Sequence, residues 1–198
     1  MITLRQRTRV AVLLCALSAG PLLAAQGPST ATPPAAPATP FVAPVIDDTA
    51  ALPGPRQPIF FRHDIHAGQD EIPCQYCHNT VTVSSEPGIP SLQTCMGCHL
   101  IISGTTPSHR AEITKVRTAW SERKPPEWLR VFWLPQFARF PHQRHIKALG
   151  QDGCTLCHGD VARMPQITQP KESTLLMGWC IRCHVERAVS RDCTVCHY

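Results

Sequence analysis

CIRCHVERAVSRDCTVCHY, residues 180–198, holds one spacing twice: Cys180-x-x-Cys183-His184 and Cys193-x-x-Cys196-His197. The spacing recurs upstream as CQYCH (Cys74, Cys77, His78), CMGCH (Cys95, Cys98, His99) and CTLCH (Cys154, Cys157, His158). Two thiols with two residues between them can add across the two vinyl groups of one porphyrin, and the adjacent imidazole then reaches its iron. This is the attachment signature of c-type haem. Zinc knuckles and redox dithiols share the C-x-x-C spacing. They do not require the following His, which is only 10 of 198 residues here. Five pairs each followed by His by chance is on the order of one event in a few million. Five covalently attached haems are expected.

Five histidines lie outside the motifs: His63, His66, His109, His142 and His145. Each haem iron offers one axial position beyond the motif His, so the count predicts bis-histidine ligation throughout. Such iron has a lower potential than His/Met iron. Met164 or Met177 could replace one distal His, whereas Met96 lies inside an attachment loop and is badly placed for it. His63 and His66 are three residues apart, as are His142 and His145. On a helical turn such a pair shares one side. The motif His already occupies the proximal face of each haem, so each HxxH pair is expected to serve two irons. Pro107 to Lys124 predicts a helix opened by Pro107, with His109, Ile113, Val116 and Trp120 on one face.

The two HxxH pairs belong to an imperfect repeat of about 80 residues. FRHDIHAGQDEIPCQYCH (Phe61–His78) parallels FPHQRHIKALGQDGCTLCH (Phe140–His158). PSLQTCMGCH parallels STLLMGWCIRCH, so the halves fall at about residues 59–118 and 139–198. Between them, KPPEWLRVFWLPQFARF reads as extended because of Pro125, Pro126 and Pro135; Trp128 and Trp133 are candidates for packing. Phe, Trp and Tyr total twelve residues, too few for a conventional aromatic core. About 28 residues per haem from residue 59 onward leave no room for thick layers of secondary structure. The expected fold is a haem-cored multihaem cytochrome c of short α-helices and loops, with little or no β structure and two pseudo-repeated halves. Haem attachment is then the main source of folding energy, as metal binding is in small metallodomains.

Residues 1–25 place Arg5, Arg7 and Arg9 before an apolar run of about 16 residues that ends in small residues. A spanning helix needs about 20, so a cleaved secretory signal is favoured over an N-terminal anchor. Cys15 is read as a small apolar residue within that run. Residues 26–58 carry nine prolines and read as an extended spacer. Export agrees with haem attachment outside the cytoplasm. The formal charge of +5 falls to about +2 without the leader's three Arg, and roughly −1 per oxidised haem makes the holoprotein acidic. The basic residues are expected to pair with propionates, and no nucleic-acid partner is expected.

The FxHxxH…CxxCH arrangement resembles the class III multihaem cytochromes, the cytochrome c3/c7 family. Over residues 58–198 the combination of PIFFRHDIHAGQDEIPCQYCH, GIPSLQTCMGCH, WLRVFWLPQFARFPHQRHI, TLLMGWCIRCH and DCTVCHY is similar to the pentahaem subunits of bacterial alternative complex III. That resemblance implies an electron-transfer subunit on the periplasmic side, with no catalytic residues of its own. Its partners would be the iron–sulfur and membrane subunits of a quinol-oxidising complex, and a downstream cytochrome or oxidase. It also implies that His63 serves the haem on Cys74 and Cys77, and His142 the haem on Cys154 and Cys157. His66, His145 and His109 would serve haems attached elsewhere. Two departures concern anchoring and partner contacts: the leader is short for a span, and Phe132-Trp133 stand where a more polar pair is expected. A free periplasmic c7-like shuttle shares all the haem motifs. A multihaem reductase of a small oxyanion needs an open iron position, for which ten histidines leave no provision.

Overall fold

The computed structural model describes residues 39–46 and 48–198. The leader and residues 26–38 of the spacer lie outside the described residues. Among the described residues there are short helices and no strands. The α-helices are α1 (Cys74–Cys77), α2 (Leu92–His99), α3 (Pro107–Ser121), α4 (His142–Leu149), α5 (Gly153–His158), α6 (Met177–Glu186) and α7 (Cys193–Cys196). A π-helical turn, Asp64–Gln69, and 3₁₀ turns at Asn79–Thr82 and Val161–Arg163 complete the regular structure. Isolated helices shorter than about 12–15 residues are marginal in water, so nearly all of these depend on what they pack against.

Helix α3 shows how local sequence and packing combine. Thr106 caps it by accepting a hydrogen bond from the His109 amide at 3.1 Å, and Pro107 occupies the first turn. The predicted face turns inward at Val116, which is buried, but Trp120 is 44% exposed. Arg117 fastens α3 to the end of α2, donating to the carbonyl of His99 at 2.8 Å and to Ser103 Oγ at 3.0 Å. The helix ends at Ser121, three residues earlier than predicted, and Arg123 takes a left-handed backbone at φ +54°.

The side-chain core between these elements is small. Buried Ile59, Met96 and Val116 cluster with Leu92, Cys95 and Trp128, and Val81 is the other buried apolar side chain among the described residues. Full burial of such a side chain contributes about 1.5–3 kcal/mol, against roughly 1–2 kcal/mol to order each residue's backbone. Four of them cannot hold a unit running from Thr39 to Tyr198.

Residues 39–58, read from the sequence as spacer, are joined to the helical unit by specific contacts. The Arg163 guanidinium lies 3.7 Å from the Phe41 ring centre. Phe41 also packs so closely on Gly68 that a Cβ there would meet its ring at 2.9 Å and the Ala162 carbonyl as well. Gln166 Nε2 donates to the carbonyls of Pro53 and Gly54 at 2.9 and 3.0 Å. Arg62 donates to the Pro44 carbonyl at 2.8 Å while forming a bidentate ion pair with fully buried Asp64 at 2.6 and 2.7 Å. A buried guanidinium is tolerated only when paired and hydrogen-bonded in this way. The extended chain is thereby tied to the turn that carries His63 and His66.

The two HxxH segments make reciprocal contacts. The Asp64–Gln69 turn packs on Val161–Arg163, which follows His158; α4, with His142 and His145, packs on Asn79–Thr82, which follows His78. The second contact is tightened by the amides of His142 and Gln143 donating to Ser85 and Ser84 carbonyls at 3.3 and 3.2 Å.

Candidate haem-attachment site

All five C-x-x-C pairs lie on a helical turn, forming α1 and α7 outright and falling within α2, α5 and α6. Positions i and i+3 share one side of such a turn, so each pair presents both thiols to a common partner with the His at its C-terminal end. Burial raises the pKa of the Cys77, Cys95, Cys154, Cys157 and Cys180 thiols, and neighbouring thiols raise it further. Redox-active C-x-x-C thiols are pushed the other way, towards thiolate. Among the described residues no three His, Cys, Asp or Glu side chains converge as a zinc site requires.

The imidazoles are oriented by the backbone. Nδ1–H donates to a carbonyl in His66 (Arg62, 2.8 Å), His78 (Gly88, 2.9 Å), His99 (Ile102, 3.0 Å) and His145 (Pro141, 3.0 Å). The same holds for His142 (Ser85, 2.6 Å), His184 (Ser190, 2.7 Å) and His197 (Phe137, 2.8 Å). A carbonyl only accepts, so each contact fixes the proton on Nδ1 and leaves the Nε2 lone pair available to a metal. His109 instead has Thr105 Oγ1 3.3 Å from its Nδ1, and its backbone is pressed against Gly104, where a Cβ would meet His109 Cβ at 2.6 Å. His63 Nδ1 is buried without a partner.

Ring separations bring specific distal and motif histidines together. His66 and His99 are 6.0 Å apart between centroids, His145 and His184 6.2 Å, and His142 and His158 6.5 Å. Two imidazoles bound through Nε2 on opposite sides of one metal, with bonds of about 2 Å, have ring centres roughly 6.3 Å apart. His63 stands close enough to His78 for their charges to interact. Phe61 stacks on His66 at 4.4 Å and meets His63 edge-on at 4.7 Å; Phe140 stacks on His145 at 4.0 Å and meets His142 edge-on at 4.8 Å. Phe132 meets His158 edge-on at 4.4 Å. These aromatic supports were visible in the sequence only as the first letter of FxHxxH, and Phe132 stood out only as apolar where a more polar residue is expected, not as a support for His158.

A single cavity of about 3350 Å³ connects these groups and is lined by the Cys and His of every motif and by His63, His66, His109, His142 and His145. Ordinary ligand pockets are about 300–1,000 Å³, so this volume suits several large flat groups. Met177 reaches its wall but is 66% exposed. The Met164 methyl lies against Gly159, and Met96 is buried in the apolar cluster. Trp128 joins that cluster, whereas Trp133 is 67% exposed under the Arg130 guanidinium. Paired thiols, imidazoles with free Nε2 and a cavity of this size all fit covalently attached haem.

Residues 138–198 match the family described as cytochrome c7 and related cytochrome c. The fold class is multihaem cytochrome c. This cytochrome is also 29% identical, over 163 residues, to the multiheme cytochrome c subunit of a menaquinone reductase from Nitratidesulfovibrio vulgaris strain Hildenborough. The match spans 71% of this chain and 76% of that subunit. A multihaem c-type cytochrome transfers electrons. Among the described residues, no helix of the cytochrome is long and apolar enough to cross a membrane.

Burial gives the cytochrome a pH dependence. Loss of hydration, followed by repulsion from neighbouring imidazoles, lowers the His63 and His158 pKa values from 6.5 to about 4. Below pH 6.5 the unfolded chain takes up protons at these sites that the folded chain refuses, so stability is full above 6.5 and is lost progressively towards pH 4. In the holoprotein iron would take the place of that proton, which keeps the sign: histidines released on unfolding gain protons as pH falls, so the denaturant midpoint is expected to fall between pH 7 and pH 5. A midpoint that rises on acidification would contradict this account of the two imidazoles.

Proposed function

We propose that this chain carries five haems, each held between a motif histidine and a distal one, and serves as the electron-transfer subunit of a quinone-linked membrane complex on the periplasmic side. The observation that carries the reading is the spacing of His66–His99, His142–His158 and His145–His184, which suits one metal between each pair. His63 and His78 make the fourth pair. His109 and His197 remain for the fifth haem. Bound haem supplies reversible one-electron exchange at its iron. The protein's own groups do the rest: carbonyls hold each imidazole in the ligating tautomer, and Phe61 and Phe140 fix the planes of the HxxH rings. Neutral histidines from a motif and a distal position would hold each iron, keep its potential low and leave no position for a substrate.

Residues 59–198 form the haem domain in this reading, built from halves 59–118 and 139–198. The matching Phe–His geometries and the reciprocal packing of the HxxH turns support the duplication. Export follows from the leader.

The direction of electron flow distinguishes two forms of the proposal. The motif order favours an alternative-complex-III-type subunit that takes electrons originating from quinol and passes them to a downstream cytochrome or oxidase. The name of the menaquinone reductase subunit favours the opposite direction, with electrons delivered towards quinone. Gently solubilised membranes and the periplasmic fraction, run on a haem-stained native gel, separate these readings from a free shuttle. A large membrane-derived haem band reduced by menaquinol supports the first. A prereduced band oxidised by menaquinone but not reduced by menaquinol supports the second. A small soluble band inert to both would sink the complex assignment.

A further inference from the structure

We propose that the five attachment sites follow one another in space in the order second, first, third, fourth, fifth, so that the second and fifth sites are the ends of the row. The proposal rests on the five-haem reading above and adds to it which sites are neighbours.

The first line of support is the thiols. A cysteine sulfur bonded to haem sits at a porphyrin edge, so motif cysteines from different sites that face each other bring two porphyrin edges together. Cys77 of the first site interacts with Cys95 and Cys98 of the second. Cys74, on the same turn as Cys77, faces Cys154 of the third site. Cys157 of the third interacts with Cys180 and Cys183 of the fourth, and Cys180 with Cys196 of the fifth. Each approach joins one site to the next in the proposed order.

The second line is the placement of the histidines and their backbone partners. His63 and His66 lie one turn apart and stand beside His78 and His99, coupling the first and second sites. His142 and His145 do the same for His158 and His184, coupling the third and fourth. Between the halves, α4 packs on the Asn79–Thr82 turn that leaves His78, and His142 Nδ1 donates to the Ser85 carbonyl at 2.6 Å. His158 is also close enough to His78 for their charges to interact. The junction of the halves is therefore first site to third, although the second and third are neighbours in the sequence. Helix α3 and residues 122–139 carry the chain past the second site, and α4 then docks beside the first. The fifth site is held by the same connecting segment: the Arg139 amide donates to the Cys196 carbonyl at 2.7 Å, and His197 Nδ1 to the Phe137 carbonyl.

The test uses the full holoprotein, grown with cysteine carrying ¹³C at Cβ and fully reduced. Ferrous bis-imidazole haem is diamagnetic, so nuclear Overhauser contacts between cysteine β-protons and neighbouring haem edges are observable. The expected pattern joins Cys74 or Cys154 protons to the other's haem and joins the second site's protons to the first haem only. Contacts between the second and third sites, with none between the first and third, would overturn the order. The intact mass of the same sample counts the attached haems. A failure of the five-haem reading therefore appears as a mass short by whole haems, separate from any change in contact pattern.

Discussion

Produced without haem attachment, this chain is expected to stay unfolded. The described unit has four buried apolar side chains, and most of its helices are shorter than a free peptide needs to hold helix. The cavity that joins them is lined by Cys, His and apolar side chains drawn from the whole unit, from Ala43 to Tyr198. Such walls have no reason to stay apart in water unless a group they bind holds them. Attachment supplies apolar surface to bury and ties chain segments far apart in sequence to shared centres, as metals do in small metallodomains. The measurement is far-ultraviolet circular dichroism and limited proteolysis of chain made in cytoplasm lacking the attachment machinery. Low helicity without a cooperative melt, and digestion throughout residues 59–198, are expected. A folded, protease-resistant apoprotein would show that side-chain packing suffices.

Replacing one histidine of an HxxH pair should open one iron. His145 sits 6.2 Å from His184, with its Nδ1 proton on the Pro141 carbonyl and its ring stacked on Phe140. In the five-haem reading His145→Ala removes the ligand opposite His184, and it is expected to convert one haem to a form that binds carbon monoxide when reduced. Roughly one-fifth of the low-spin intensity should be lost, and the potential of that haem should rise. His142→Ala should open a different iron, because His142 stands beside His158 and not His184. The double variant should then bind two equivalents of carbon monoxide, and wild type none. If both histidines belonged to one site, the double variant would bind no more than either single one. Binding by wild type would revive the reductase reading, since it would reveal an open iron.

The parts of this structure that were legible in sequence are those fixed by local spacing. A thiol pair and its histidine share one helical turn, so the CxxCH motifs announce their own local structure wherever they fall. Pro107 announced the start of α3 for the same reason, while its cap Thr106 went unread and its end was set by a left-handed Arg123 that no residue pattern marks. Backbone carbonyls carry no residue signature, so the partners of the imidazoles were invisible. Ser85 lies 57 residues from His142, and Phe137 lies 60 from His197. Residues 39–58 read as spacer because proline dominates their composition. Their attachment depends on single long-range contacts, such as Gln166 with the Pro53 carbonyl 113 residues away. Trp128 and Trp133 looked alike in sequence. The extended backbone puts the first against the Ile59–Met96–Val116 cluster and the second in solvent.

The central claim is that every iron in this cytochrome lies between two histidines. Near-infrared magnetic circular dichroism of the oxidised holoprotein, scaled to the haem content, tests it most directly, because bis-imidazole, imidazole–thioether and high-spin iron absorb there at different energies. The account predicts bis-imidazole intensity equivalent to all five haems, with no other component. A thioether or high-spin signal amounting to one haem would contradict it.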